Sequence, residues 1–210
     1  MLLASGMSSS GMSSSLEGLC SQTEARWFYA WYAHLYEAMQ PYFTSDSMRE
    51  QGLSLAGLRA DDDHSDTKIL DVGAGTGTLS MQALRRGVPA KNLTLIDQSA
   101  SMLSYARAKP ELADATIVCA DAHVLPFESA SFDRVVSSGS IYYFPEPVVA
   151  LREQMRVLRA GGVVLAMGSL QPKPRLIRLL AQTFNRFPTE QQYRSWYTQA
   201  GLVDIRTVYS

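Results

Sequence analysis

The chain has 210 residues, 46 % hydrophobic and 19 % charged, with a formal net charge of −1. That length suits one domain with a sizeable core, and the balanced charge leaves no nucleic-acid footprint. No apolar run reaches membrane-spanning length, and two cysteines, Cys20 and Cys119, are too few for a disulfide framework. Residues 1–20 carry a tandem repeat, Gly6-Met-Ser-Ser-Ser10 and Gly11-Met-Ser-Ser-Ser15. Such sequence has little to bury and predicts a disordered leader. It lacks acidic residues before Glu17, as an organelle transit peptide does, but it also lacks arginine.

Residues 21–66 read as a helical segment and an acidic connector. Ser21 and Glu24 have capping-box spacing. The helix that follows, to about Gln40, places Trp27, Trp31, Leu35 and Met39 on one face. It suits either a lid over something apolar or ordinary packing on the domain. A second helix is predicted over Ser47–Leu58. Asp61–Asp66 reads as a solvated connector, and flexible acidic runs of this kind seldom bind metal.

From Thr67 the pattern alternates strand and helix. Strands are predicted at Lys68–Val72, Asn92–Ile96, Thr116–Ala120, Arg134–Ser138, Gly162–Ala166 and Val203–Val208. Helices are predicted at Thr76–Arg86, Ala100–Ala108, Pro147–Arg159, Arg175–Phe184 and Thr189–Ala200. Thr189 with Gln192 forms another capping box, and Gly201 ends that helix. Alternating βα units imply a parallel sheet with helices on both faces. Ligands then bind at the strands' carboxyl ends, where strand order reverses.

The first strand runs into Asp71-Val-Gly-Ala-Gly-Thr-Gly77. Glycines let a ligand approach bare backbone, and the following helix turns its N–H groups toward that ligand. The spacing of Gly73, Gly75 and Gly77 is not the Gly-x-Gly-x-x-Gly of dinucleotide sites, so a nicotinamide dehydrogenase is a distant reading. Asp97 ends the second strand, some twenty residues past the glycines. A carboxylate there can accept from both hydroxyls of a ribose. It could instead cap the next helix, a task Ser99 can also fill. Gln98 is a weaker neighbour of the same ligand. Asp121-Ala122 ends the third strand and leads through His123 to Leu-Pro-Phe127. The fourth strand ends in Ser138-Gly-Ser-Ile-Tyr-Tyr143. Arg152 to Gly162 reads as a helix stopped by basic residues and a Gly-Gly turn, a structural feature.

Taken in order, these motifs resemble the class I S-adenosylmethionine (SAM) methyltransferases, from about Thr67 to the end. The finer resemblance is to the plastid 2-methyl-6-phytylbenzoquinone methyltransferases. Lys91–Ser99, Ser138–Pro147, Phe187–Tyr197, Trp27-Phe-Tyr29 and Met48-Arg49 carry it. The resemblance implies an α/β, Rossmann-like sandwich with an N-terminal helical lid over a SAM-binding domain at 67–210. It implies SAM as cofactor, held by Asp71, Gly73, Ala74, Gly75, Gly77, Asp97, Gln98, Asp121, Ala122, Ser138 and Gly139. Asp121 would accept from the adenine 6-amino group, Ala122 N–H would donate to a ring nitrogen, and Ser138 or Ser140 would bond the amino-acid tail. The reaction implied is C-methylation of a prenylated benzoquinol in a chloroplast, with cytoplasm as the alternative. His34, His123, Tyr142 and Tyr143 are the candidates for moving the ring proton, beside a water or no base at all. The alternatives are another lipophilic acceptor, such as a tocopherol, a ubiquinone precursor or a sterol, and a non-catalytic SAM-binding module. The prenyl tail could lie on the aromatic N-terminal helix or on residues 170–187, whose leucines and arginines also suit a membrane interface. One departure stands out. Family members end in an antiparallel hairpin, and this sequence stops as the sixth strand ends, which leaves no seventh strand.

Overall fold

The computed structural model of the chain describes residues 46–168 and 187–206. The Ser/Gly leader, the aromatic helix with His34, the basic helix at 175–184 and the end of the sixth predicted strand lie outside the described residues. Five strands form one parallel sheet: β1 Ile69–Val72, β2 Leu93–Asp97, β3 Thr116–Cys119, β4 Phe132–Ser138 and β5 Leu158–Met167. Their order is β3-β2-β1-β4-β5. The direction of winding reverses between β1 and β4, so the crevice at their carboxyl ends is the topological switch point.

Among the described residues the α-helices are α1 Asp46–Leu55, α2 Thr78–Arg85, α3 Ala100–Arg107, α4 Pro147–Val157 and α5 Glu190–Ala200. Covering both faces of the sheet requires strands that are apolar on both sides. All four residues of β1 are accordingly buried. Ile69 joins Leu53, Leu79, Leu95 and Leu112 on one face, while Leu70 and Val72 join Ile96, Val135 and Ala150 on the other. Each such aliphatic side chain contributes about 1.5–3 kcal/mol by leaving water.

Local chemistry fixes the helix ends. α1 is shorter than its prediction because Gly57 turns left-handed (φ +79°) and the Leu58 N–H bonds the Leu53 carbonyl at 2.9 Å. Leu53 and Leu58 are both fully buried, which completes a Schellman stop. Arg86 braces the same helix from α2, donating to the Ser54 hydroxyl and to the carbonyls of Glu50 and Leu58 at 2.6–2.8 Å. Thr189 and Gln192 form the predicted capping box, and Gly201 ends α5 with φ +93°. The connector before β1 is not wholly solvated. His64 is buried and its Nε2 lies 2.7 Å from the Arg59 carbonyl.

Two predictions are corrected. α4 ends at Val157 rather than Arg159, because Leu158 is already extended and pairs with Phe132. The register then jumps to Arg134–Val163. The intervening residues bulge, with Gly161 at φ +78° and Arg159 paired to Asp133 at 2.7 Å. The sixth strand is not extended over 203–206. Asp204 is left-handed (φ +53°), Arg206 pairs back onto it at 2.8 Å, and Val203 is 87 % exposed.

Asp71 faces α2 from the middle of the sheet. It is 2 % exposed, and its Oδ2 accepts from the Ser80 hydroxyl at 2.7 Å. Burial pushes its pKa up to about 7, against the pull of the Ser80 bonds and the Arg49 charge and with the push of Asp97. The folded state therefore retains a proton that the unfolded chain releases near pH 4 (roughly). The stability from this protonated acid is complete below that value and is lost as pH rises through about 7. Asp71→Asn keeps an acceptor for Ser80 but does not titrate. Urea unfolding should show the wild type losing stability relative to D71N between about pH 4 and 7. Parallel pH profiles for the two proteins would refute this.

Candidate cofactor site

Four connections leave the carboxyl edge of the sheet and meet at the switch point. The first is the glycine loop after β1. Its Ala74 N–H donates to the Ile96 carbonyl and its Gly75 N–H to Asp97 Oδ2, both at 2.9 Å. These bonds lay the loop across the end of β2. Gly75 has φ +56°, and a Cβ built there would meet nothing within 4 Å. Space is open above its Cα, although the residue itself is buried. Gly73 and Gly77 answer to packing instead. A Cβ on Gly73 would collide with Ser140, and one on Gly77 would lie 2.9 Å from Leu112. Ala74 is half-buried beside them. Asp71 lies beneath the loop on Ser80, so it supports the loop from the core side.

Asp97 closes β2. Its carboxylate points at the loop: Oδ2 takes the Gly75 N–H, and Oδ1 takes the Ser99 N–H at 2.8 Å. Burial raises its pKa, against the pull of those two N–H groups. Ser99 caps α3 through the Met102 N–H, which leaves Asp97 free of that task. The group is half-buried, with one intramolecular donor on each oxygen and lone pairs to spare. Gln98 is exposed next to it.

The third connection follows β3. Ala122 is buried, and Asp121 is part-exposed with its Oδ1 bonded to the His123 N–H at 2.9 Å and to the His123 ring Nδ1 at 2.6 Å. Burial works to raise the Asp121 pKa, but the His123 contacts outweigh it and hold the carboxyl below its usual range. The rest of this loop is clamped by α4. Glu153 accepts the Leu125 N–H at 2.9 Å, and Arg156 donates to the carbonyls of Leu125 and Phe127. Arg156 also pairs with Glu153 at 2.8 Å and, with the Leu125 N–H, lowers its pKa. Sequence reasoning treated this stretch of α4 as a helix stop. The i,i+3 spacing of Glu153 and Arg156 was the available signal, but its target, 28 residues earlier, was not.

The fourth connection follows β4. Ser138 ends the strand half-buried. Gly139 turns with φ +71° and bonds the Met167 carbonyl at 2.8 Å. Ser140 donates to the Val72 carbonyl at 3.0 Å and seals the base of the glycine loop. A short turn, Ile141–Tyr143, then presents two rings. Tyr142 lies 4.7 Å from Tyr143 and 5.5 Å from Phe187 between ring centroids, and Tyr143 is 49 % exposed. Behind them α5 contributes Tyr193, which stands at 5.5 Å from Trp196. His34 falls outside the described residues. His123 has both ring nitrogens engaged, since Nε2 lies 3.4 Å from the Glu146 N–H.

The sequence singled out Arg49 only as part of the family resemblance and assigned it no role at the site. Arg49 is 2 % exposed on α1, paired through Nη1 with Asp46 at 3.1 Å, and close enough to act on Asp71. Its Nε has no partner among the described residues. The whole arrangement is an edge with open space above Gly75, carboxylates at Asp97 and Asp121, and an aromatic wall at Tyr142 and Tyr143. It can hold a polar nucleoside beside an apolar acceptor.

The family model described as a methyltransferase domain matches residues 70–166. Four chloroplastic 2-methyl-6-phytyl-1,4-hydroquinone methyltransferases from plants are 35–38 % identical to the chain. The one from Arabidopsis thaliana is 36 % identical over 97 % of the chain and 59 % of its own length. The chain spans about half the length of these curated relatives, 51–59 %. A demethylmenaquinone methyltransferase of Staphylococcus aureus is 30 % identical over 67 % of the chain and 69 % of its own length. Among solved structures, Haemonchus contortus phosphoethanolamine N-methyltransferase 2, in complex with S-adenosylhomocysteine, aligns with a TM-score of 0.58. It is 25 % identical over 73 % of this chain and 37 % of that one. A glycine loop answered by an acidic β2 end, on a parallel sheet wound in this order, together with these relatives, places the chain in the family of class I SAM-dependent methyltransferases.

Proposed function

We propose that the chain binds SAM at the switch-point edge and methylates a ring carbon of a prenylated hydroquinone. The observation that carries this is the pairing of Gly75 with Asp97: open space above a glycine Cα beside a carboxylate that faces the loop. Asp97 would accept from the ribose hydroxyls, Asp121 and the Ala122 N–H would read the adenine, and Ser138 and Gly139 would line the amino-acid tail. When bound, SAM supplies an electrophilic methyl group on its sulfonium, and its transfer to carbon leaves S-adenosylhomocysteine and a ring proton to be removed.

The chain's own part is positioning. In-line attack on a methyl group needs an oriented acceptor and an excluded solvent more than it needs an acid. Tyr142 and Tyr143 would face the acceptor ring, and Phe187 would extend that wall. The acceptor becomes carbon-nucleophilic when its hydroxyl loses a proton, so a base beside it is useful. Tyr142, Tyr143, His34 and His123 remain the candidates with a group to offer, the last through Nε2, since its Nδ1 is held on Asp121. The plant relatives' names support a phytyl hydroquinone as acceptor and a chloroplast as location. The Staphylococcus relative's name supports a second reading, a prenylated naphthoquinol. We further infer that residues 170–187, with Lys173, Arg175, Arg178 and Arg186 among leucines, contact an anionic membrane surface where such acceptors reside.

Asp97→Ala should weaken S-adenosylhomocysteine binding by about 1–3 kcal/mol in titration calorimetry, and Asp97→Asn, which keeps one acceptor, by less. Undiminished affinity in D97A would remove the cofactor assignment. Supplied with labelled SAM and a panel of prenyl hydroquinones, the protein should place methyl on a ring carbon, and product found solely as a phenolic ether would overturn the reaction proposed. The protein should float with anionic liposomes at low salt and be released as salt rises. Failure to float at low salt would dispose of the membrane contact.

A further inference from the structure

We propose that His123 is a positioning residue that presents Asp121 to the cofactor's adenine. This rests on the adenine reading of Asp121 given above.

Asp121 Oδ1 is taken twice by one residue, through the His123 N–H at 2.9 Å and the ring Nδ1 at 2.6 Å. Oδ2 has no partner among the described residues. A carboxylate fixed at one oxygen cannot rotate freely, so the other is aimed. The His123 ring is itself held in place. Its Nε2 accepts from the Glu146 N–H at 3.4 Å, and the edge of Phe144 stands at 5.9 Å between centroids. An Nε2 that accepts must leave the ring proton on Nδ1, where it donates to Asp121. The tautomer that orients the carboxylate is thus set by a backbone group 23 residues away, on the connection after β4. The His123 side chain is only 18 % exposed, whereas that of Asp121 is 36 % exposed. The histidine is packed as a support, and the carboxylate is the part left accessible. A ring held at both nitrogens keeps one orientation, and in this role His123 acts through Asp121. Of the adenine's groups, the 6-amino is the donor that a lone aimed oxygen can recognise.

The test compares S-adenosylhomocysteine with its 6-deamino analogue, whose purine lacks the amino donor but keeps its ring nitrogens as acceptors. The wild type should prefer the adenosyl compound by about ten- to 150-fold, the scale of one hydrogen bond to a charged acceptor. Asp121→Ala should abolish the preference. His123→Ala should shrink it, and so should His123→Gln, whose amide reaches the Nε2 position but not Oδ1. His123→Asn, whose amide nitrogen replaces Nδ1, should restore it. In the D121A background, H123A should change neither affinity further. A purely structural histidine would lower both affinities together and leave their ratio intact. If D121A loses the preference while H123A and H123Q keep it, this inference is wrong and the adenine reading stands. If D121A itself keeps the preference, the adenine reading fails and takes this inference with it.

Discussion

The bond from the Gly75 N–H to Asp97 Oδ2 joins the end of β1 to the end of β2, and the rest of the site is arranged around it. In a parallel sheet the carboxyl ends of neighbouring strands lie side by side but their outgoing loops have no ladder to hold them. The Ala74 and Gly75 bonds supply that hold. They turn the loop across β2 and start α2 in the direction that packs it on the sheet. The glycines follow from this path. Gly77 must let α2 close onto Leu95 and Leu112, Gly73 must admit Ser140, and Gly75, itself buried, leaves space above its Cα. An L-residue at Gly75 would be strained by its positive φ and would also fill that space.

This path brings two carboxylates, Asp71 and Asp97, to the same few ångströms of loop. Each is buried enough to have its pKa raised, and Asp97 contributes to the shift at Asp71. The protein answers with neutral donors at Asp97 and with a hydroxyl and a nearby guanidinium at Asp71. Neither carboxylate has a salt-bridge partner among the described residues. Such a pair is better satisfied by a cation arriving from outside than by the fold alone, because an opposite charge within reach favours both ionised forms. A ligand carrying a sulfonium and an ammonium meets that need. The electrostatics of this edge and the chemistry of the family's cofactor point the same way.

The fold was largely legible because its signals are local. Hydrophobic runs gave β1 and β2, Ser99 and the Thr189–Gln192 pair marked helix starts, and Gly201 marked a stop. The glycine spacing and Asp97 were legible for the same reason, since strand, loop and helix are contiguous in the chain. The errors arose where a distant group decided the outcome. α4 stops early because Leu158 is drawn onto Phe132 and Arg159 onto Asp133. His64 looked like part of a solvated run but is buried under Arg59. The partners of His123 were hidden by separation in sequence. A histidine in the variable part of a motif looks free until Glu146 is seen to lie against it.

The two halves of the edge are held in different ways, and the difference bears on function. On the cofactor side the supports are charged or amide groups with fixed partners: Asp97 on two N–H groups, Glu153 and Arg156 on the loop before Phe127, His123 on Asp121. Bonds of this kind define position to a fraction of an ångström, as recognition of a polar nucleoside requires. On the side proposed for the acceptor the surface is made of rings, Tyr142, Tyr143, Phe187 and the tyrosines of α5, in tilted, edge and stacked contacts. Those contacts are weak in direction and tolerant of small shifts. An apolar acceptor with a long tail presents few groups to bond and gains most from area. The sequence carries the same asymmetry, with sharply spaced acidic residues after β1 to β3 and loosely spaced aromatics after β4. It is why the cofactor could be read from spacing, while the acceptor had to be inferred from resemblance.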